Sequence, residues 1–199
     1  MLTACLALIH VAVASDAVFV VHGVEAGATP ATAERAWHFY EGNPILVGEE
    51  EYELQAGEGN VYAPDVHREG DLYRMWYGGQ GRDGHDRVLL AESDDGLTWR
   101  RSPANPVIDV DDENHVNDPS VAVAGGVAHV AFSVAPRGEE DEIHVATSTD
   151  GVRWERRGAV IPLGEPGAWD SFKVGRPSLL HEDGRFLMWY DGTNSLPSD

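Results

Sequence analysis

Three prolines carry the residues of greatest chemical interest. Ala63-Pro64-Asp65, Asn117-Asp118-Pro119 and Arg176-Pro177-Ser178 each hold a charged side chain within one residue of the ring. Two carboxyl groups on opposite sides of one bond can divide acid and base work, one protonated and one ionised. Asp65 and Asp118 are the candidates for that pair. Arg176 stands before its proline as Asp118 does, and offers a cation to an anionic or hydroxyl group. By strand alternation Asp65 shares a face with Ala63, so it can point where a pre-proline residue points. The competing reading has each Asp accepting backbone N–H groups at a turn or strand edge.

Other chemistries find less support. Asp109-Val110-Asp111-Asp112-Glu113-Asn114 is rich in oxygen and could take up calcium. It lacks the glycine and distal glutamate of an EF-hand loop, which favours a solvated acidic loop. Nine histidines, among them His67, His115 and His181, form no zinc spacing, so no metal site is assigned. There is no Gly-rich phosphate loop and no nucleophile elbow.

The elements that position these residues repeat. Pro64 to Trp99 overlays Pro119 to Trp154 without a gap, at an offset of 55 residues. Met75-Trp76-Tyr77 falls on Val130-Ala131-Phe132, and Ser93-Asp94-Asp95-Gly96 on Ser148-Thr149-Asp150-Gly151. A third copy opens at Arg176-Pro177-Ser178 and reaches Met188-Trp189-Tyr190, with Trp189 as far beyond its proline as Trp76. Trp37 to Asn43-Pro44-Ile45-Leu46 repeats as Trp99 to Asn105-Pro106-Val107-Ile108. Each unit reads as four antiparallel strands with an Asp-Gly turn before the outer one, and no segment sustains helical periodicity. A repeat near 50 residues built of short strands is the mark of propeller blades, whose inner strand starts converge on a central funnel. The Ser-x-Asp-Gly-x-x-Trp elements read as structural turns. The Met-Trp-Tyr runs read first as packing between blades, with an aromatic platform for a sugar ring as the alternative for Trp76.

The 199 residues are 42% hydrophobic and 24% charged, enough for one folded domain. The formal net charge is −20 and Lys173 is the only lysine. That balance repels phosphate backbones and anionic lipid, so neither nucleic acid nor membrane is an expected partner. Residues 1–14 end in Ala12-Val13-Ala14 after an apolar run too short to span a bilayer, which fits a signal peptide and a secreted or periplasmic protein. Residues 15–36 read as a leader or linker, and 37–199 as the repeat region. Cys5 is the sole cysteine, so no disulfide can form within the chain.

Trp37 with Gly42-Asn43-Pro44-Ile45-Leu46, Ala63-Pro64-Asp65-Val66, Tyr73 to Gly79 and Ala91 to Trp99 resemble the five-bladed propeller glycoside hydrolase superfamily. That superfamily includes arabinanases, levansucrases and invertases, and families 32, 43, 62, 68 and 130. Gly167-Ala168-Trp169-Asp170-Ser171 before Arg176 fits the same pattern. The resemblance implies an all-β, partial five-bladed propeller of about two and a half blades. Missing blades or a neighbouring chain would complete it. It further implies action on, or binding of, carbohydrate in the funnel. In the resembling families an Asp beside the first-strand proline is base or nucleophile, a second Asp one blade on tunes it, and a Glu before the third blade's proline is the acid. Asp65 and Asp118 answer to the first two. Arg176, Trp76, His67 and Asn117 are the candidates for substrate contact. Val174-Gly175-Arg176-Pro177 has no Glu, which leaves glycoside phosphorolysis and a non-catalytic glycan-binding or scaffold propeller as rivals to hydrolysis. A fragment alone is expected to be inactive.

Overall fold

The computed structural model describes residues 17–18, 21–22, 38–110, 114–136 and 142–194. The expected signal peptide, most of the leader, and Trp37 lie outside them. Short strands come first: β1 (Ala17–Val18), β2 (Val21–His22), β3 (His38–Phe39), β4 (Leu46–Val47), β5 (Leu54–Gln55) and β6 (Glu58–Gly59). They pair in twos, β1 with β4, β2 with β3 and β5 with β6. A single 3-10 turn, Glu51–Glu53, is the only helical element among the described residues.

Two complete blades follow. β7 (Val61–Glu69), β8 (Leu72–Gln80), β9 (Asp86–Ser93) and β10 (Arg100–Arg101) form the first. β11 (Asn114–Ala124), β12 (Val127–Pro136), β13 (Glu142–Ser148) and β14 (Glu155–Ile161) form the second. Each is a four-stranded antiparallel sheet in sequential order. The repeat extends to strand register: Asp65 faces Trp76 as Ser120 faces Ala131, and Met75 faces Ala91 as Val130 faces Ala146. A third unit holds β15 (Lys173–Glu182) and β16 (Arg185–Thr193), with Ser178 opposite Trp189 in that register.

Apolar side chains fill the joints between blades. Trp76, Val88 and Leu90 of the first blade meet Val116, Val121, Val130 and Phe132 of the second in one buried cluster, which Val107 and Ile108 also enter. Ala131 and Ile143 of the second meet Val174, Leu179 and Met188 of the third unit. Burial at roughly 25 cal/mol per Å² makes these joints the main source of cohesion between otherwise separate sheets.

The two Ser-x-Asp-Gly turns are alike in detail. Asp95 accepts the N–H groups of Leu97 and Thr98 at 2.8 and 2.7 Å, and Asp150 those of Val152 and Arg153 at 2.9 and 2.8 Å. Those N–H groups, with the neighbouring serine hydroxyls, hold both carboxyls below the usual range, Asp150 at about 2. The glycines adopt φ +74° and +71°, which a side chain disfavours.

Candidate funnel site

The inner strands do not start at their prolines. Each begins three or more residues earlier and is broken by a bulge at the proline, between Tyr62 and Asp65, Asn117 and Ser120, and Gly175 and Ser178. The residue before each proline is left-handed: Ala63 at φ +46°, Asp118 at +51° and Arg176 at +48°. L-residues avoid this region, and each such residue costs about 1–3 kcal/mol. Three strained residues at equivalent places mark a backbone that re-aims side chains, as bulges beside functional sites do. Ala63, Pro64, Asp65, Asp118, Pro119, Ser120, Arg176 and Pro177 line one cavity of about 350 Å³.

Asp118 and Arg176 are joined through Ser133. The Ser133 hydroxyl accepts the Arg176 N–H at 3.0 Å and lies 3.5 Å from Asp118 Oδ2, to which it can donate. Arg176 is largely exposed, with Nε 3.4 Å from Asp191. The counterpart of Ser133 in the first blade is Gly78. A Cβ there would lie 2.4 Å from the Tyr62 ring, so tyrosine fills the place of the serine relay.

Asp65 lines the same cavity, but its carboxylate is committed elsewhere. Oδ2 accepts the Val121 N–H, two residues beyond the next blade's proline, and Oδ1 lies 3.4 Å from His67 Nε2. Ser120 does the same one blade on, accepting the Leu179 N–H at 2.9 Å. The residues after Pro64 and Pro119 are therefore inter-blade staples. These contacts fit the strand-edge reading of Asp65, which still lines the cavity with Asp118 and Arg176. The bulge interrupts the strand alternation at Pro64, and Ala63 and Asp65 both line the cavity.

The substrate-contact expectation for Trp76 is corrected, and His67 stands in another cleft beside the cavity residue Asp65. Trp76 is fully buried in the blade joint, its ring edge-on to Trp154 at 6.1 Å and its Nε1–H donated to the Gly151 carbonyl at 3.0 Å. No sugar can reach its face. His67 lines a different cleft, with Arg74, Glu69 and Asp150, at the far end of the inner strands. Asn117 stands beside the cavity, paired across the ladder with Ser133, and its Oδ1 is buried without a hydrogen-bond partner. Asp109 is held by His85 at 2.9 Å and Arg87 at 3.0 Å; residues 111–113 of the proposed calcium loop lie outside the described ones. Among the described residues no cluster of His, Cys, Asp and Glu suits a metal.

One network escaped the sequence reading. Tyr62 donates to Asp86 Oδ1 at 2.7 Å, and Asp86 Oδ2 lies 2.7 Å from His115 Nδ1. Burial, then the Asp86 charge, raises the Tyr62 hydroxyl far above its usual range, so it is a fixed donor. The network ties the first blade to the start of β11 behind Asp118. Its members are scattered in sequence and only the strand pairing brings them together.

The His67–Asp65 contact yields a pH dependence. The hydrogen bond to Asp65 raises the imidazole pKa above 6.5, against the opposing effect of burial. A raised histidine stabilises the fold fully below 6.5, and that contribution fades as pH rises through the folded-state value. Thermal melts should show the wild-type advantage over His67→Gln to be largest near pH 5.5 and to shrink in alkali. An advantage that grows with pH would contradict the assignment.

Antiparallel bladed sheets whose inner strands bring carboxylate and guanidinium to one cavity define a partial propeller. Residues 31–170 match the model of the glycosyl hydrolases family 32 N-terminal domain, and the chain belongs to that family. An uncharacterized protein of Mycobacterium tuberculosis is 31% identical over 140 residues, covering 65% of this chain and 45% of the relative. The A type blood N-acetyl-alpha-D-galactosamine deacetylase of Flavonifractor plautii is 26% identical over 155 residues, 65% of this chain and 20% of that protein. The chain thus spans less than half of these relatives. Among solved structures, a glycoside hydrolase superposes with a TM-score of 0.64 at 24% identity, over 79% of this chain and 49% of that one. The beta-1,2-mannobiose phosphorylase of Listeria innocua, in complex with beta-1,2-mannobiose, gives 0.63 at 16%, over 79% and 42%. At these identities the structures bear on fold alone.

Proposed function

We propose that the chain supplies the carbohydrate-binding wall of a propeller funnel, with Asp118 as its central carboxylate. The convergence of three left-handed pre-proline residues on one cavity carries this reading. Asp118 accepts hydrogen bonds from sugar hydroxyls, and Arg176 donates to a hydroxyl or an anionic group. The three equivalent positions read Ala63, Asp118 and Arg176, so they hold one carboxylate where a two-carboxylate hydrolysis needs a pair. The 199-residue chain by itself therefore binds glycan without turning it over. Family membership supports carbohydrate as the ligand class. Phosphorolysis is the second reading, favoured by the cation of Arg176 in the same cavity as Asp118. Export through residues 1–14 belongs to the same proposal, and N-terminal sequencing of protein recovered from the medium or periplasm checks it.

Calorimetric titration with arabinosides, xylosides, fructosides and mannosides, with and without phosphate, tests the site. A hydrogen bond to a charged group contributes about 1.5–3 kcal/mol, so Asp118→Asn should weaken binding by about ten- to a hundredfold. Equal affinity of wild type and Asp118→Asn would overturn the proposal. Turnover that Asp118→Asn abolishes would replace binding with catalysis.

A further inference from the structure

A hydroxyl is enough to staple one blade to the next, since Ser120 accepts the Leu179 N–H at 2.9 Å. The first blade has a carboxylate in that place and an imidazole two residues on. The Val121 N–H occupies only Oδ2 of Asp65. Oδ1 is left to His67, whose Nε2 lies at 3.4 Å. The equivalent pairs, Ser120 with Ala122 and Ser178 with Leu180, carry no group that titrates near neutral pH. The Asp65–His67 pair is therefore surplus to the staple.

The two residues share the face of β7 turned to the second blade, yet they open to different cavities. Asp65 lines the funnel cavity with Asp118 and Arg176, and His67 lines the cleft of about 390 Å³ at the far end of the strand. Their side chains are 26% and 29% exposed, so solvent reaches one end of the pair from each side. Trp76 holds the ring edge-on at 5.9 Å. Among the described residues, the other charged groups around the ring are Arg68 and Glu69 of its own strand, Arg74 opposite it on β8, and Asp150 of the second blade's turn. Arg74 is paired with Glu69 at 3.2 Å and Glu92 at 3.1 Å. Arg68 Nε donates to the Gly70 carbonyl at 3.0 Å, and Asp150 accepts the N–H groups of its own turn. Asp65 is thus the carboxylate that answers to the ring.

We propose that His67 is a positioning residue of the funnel: through its hydrogen bond it sets how much of the Asp65 carboxylate is offered to a sugar hydroxyl beside Asp118. This rests on the funnel cavity being the sugar site. With the ring protonated, Oδ1 is drawn into an ion pair along its own strand and its charge is offset. With the ring neutral, the same oxygen meets a ligand hydroxyl with its full charge. The proton is exchanged with solvent in the far cleft, so the sugar site is governed from outside itself. Affinity for a neutral glycan should rise about three- to tenfold as pH rises through the ring's titration, the difference between hydrogen bonds to an unpaired and to an ion-paired carboxylate. Bound glycan must in turn pull the His67 midpoint down by the same factor, because coupling is reciprocal.

Two measurements on the full 199-residue chain test this over a range of about pH 5.5 to 8.5, where imidazole titrates. One follows the carbon-13 shifts of the Asp65 carboxyl and the His67 ring without ligand. The other is calorimetric titration with the glycan that binds best. In the wild type the Asp65 signal should move at the His67 midpoint, and affinity should climb across the same interval. His67→Gln keeps a donor that does not titrate, and should flatten both curves. An Asp65 signal indifferent to the His67 midpoint would overturn the proposal. So would a His67→Gln chain that melts earlier but keeps the wild-type slope of affinity with pH, the result expected of a purely structural histidine. Wild-type affinity level with pH, beside weakened binding by Asp118→Asn, would sink this inference and spare the sugar site. Equal affinity of Asp118→Asn and wild type would sink both.

Discussion

Trp76→Ala should destabilise the chain by about 3–5 kcal/mol, the range for removing a large aromatic side chain from a packed core. The indole is fully buried between the first and second blades, and its Nε1–H reaches the Gly151 carbonyl at 3.0 Å. Truncation opens a cavity in the joint and leaves that carbonyl without its donor. Denaturant unfolding measures the loss, and Trp76→Phe, which keeps most of the volume but not the donor, should lose less. A change under 1 kcal/mol for the alanine variant would mean that the blades are not held together at this joint.

Glu53→Ala should be comparably severe, about 3–5 kcal/mol, because it removes one partner of a buried ion pair. Glu53 is fully buried. It accepts from Arg101 Nε at 2.9 and 3.0 Å, from the Tyr77 hydroxyl at 2.7 Å and from the Glu49 and Glu50 N–H groups at 3.0 and 3.2 Å. Burial alone would raise its carboxyl, but Arg101 and the other donors outweigh it and the net shift is downward. A lowered carboxyl stabilises the fold above its ordinary pKa, and that support is lost as pH falls through the folded value. Glu53→Gln should therefore flatten the acid limb of the stability profile. An unchanged limb would show that the Arg101 pair does not contribute.

The repeat was legible because each unit carries its own punctuation. Ser-x-Asp-Gly-x-x-Trp demands the same turn wherever it occurs, and strand registers then follow at the same offset. Glu53 was not legible. It sits in the acidic run Glu49-Glu50-Glu51-Tyr52-Glu53, which reads as solvated surface, and its cation lies 48 residues away. The funnel site was legible in part. The prolines pointed to Asp65, Asp118 and Arg176, and all three line one cavity. The bulge was hidden, because nothing local forces Ala63 or Asp118 to positive φ; the tertiary setting imposes it. Alternation nevertheless put Asp65 on the cavity side with Ala63, where both stand. For Trp76 the first reading, packing between blades, accounts for its full burial, and the sugar-platform alternative does not.

The central claim is that the pre-proline residues form the sugar site. Amide chemical-shift mapping on the isotopically labelled chain, titrated with the glycan that binds best, tests it most directly. The account expects shifts concentrated at residues 61–66, 117–121 and 174–178, and lost in Asp118→Asn. Shifts concentrated instead around His67, Arg74 and Asp150, in the cleft at the far end of the inner strands, would contradict it.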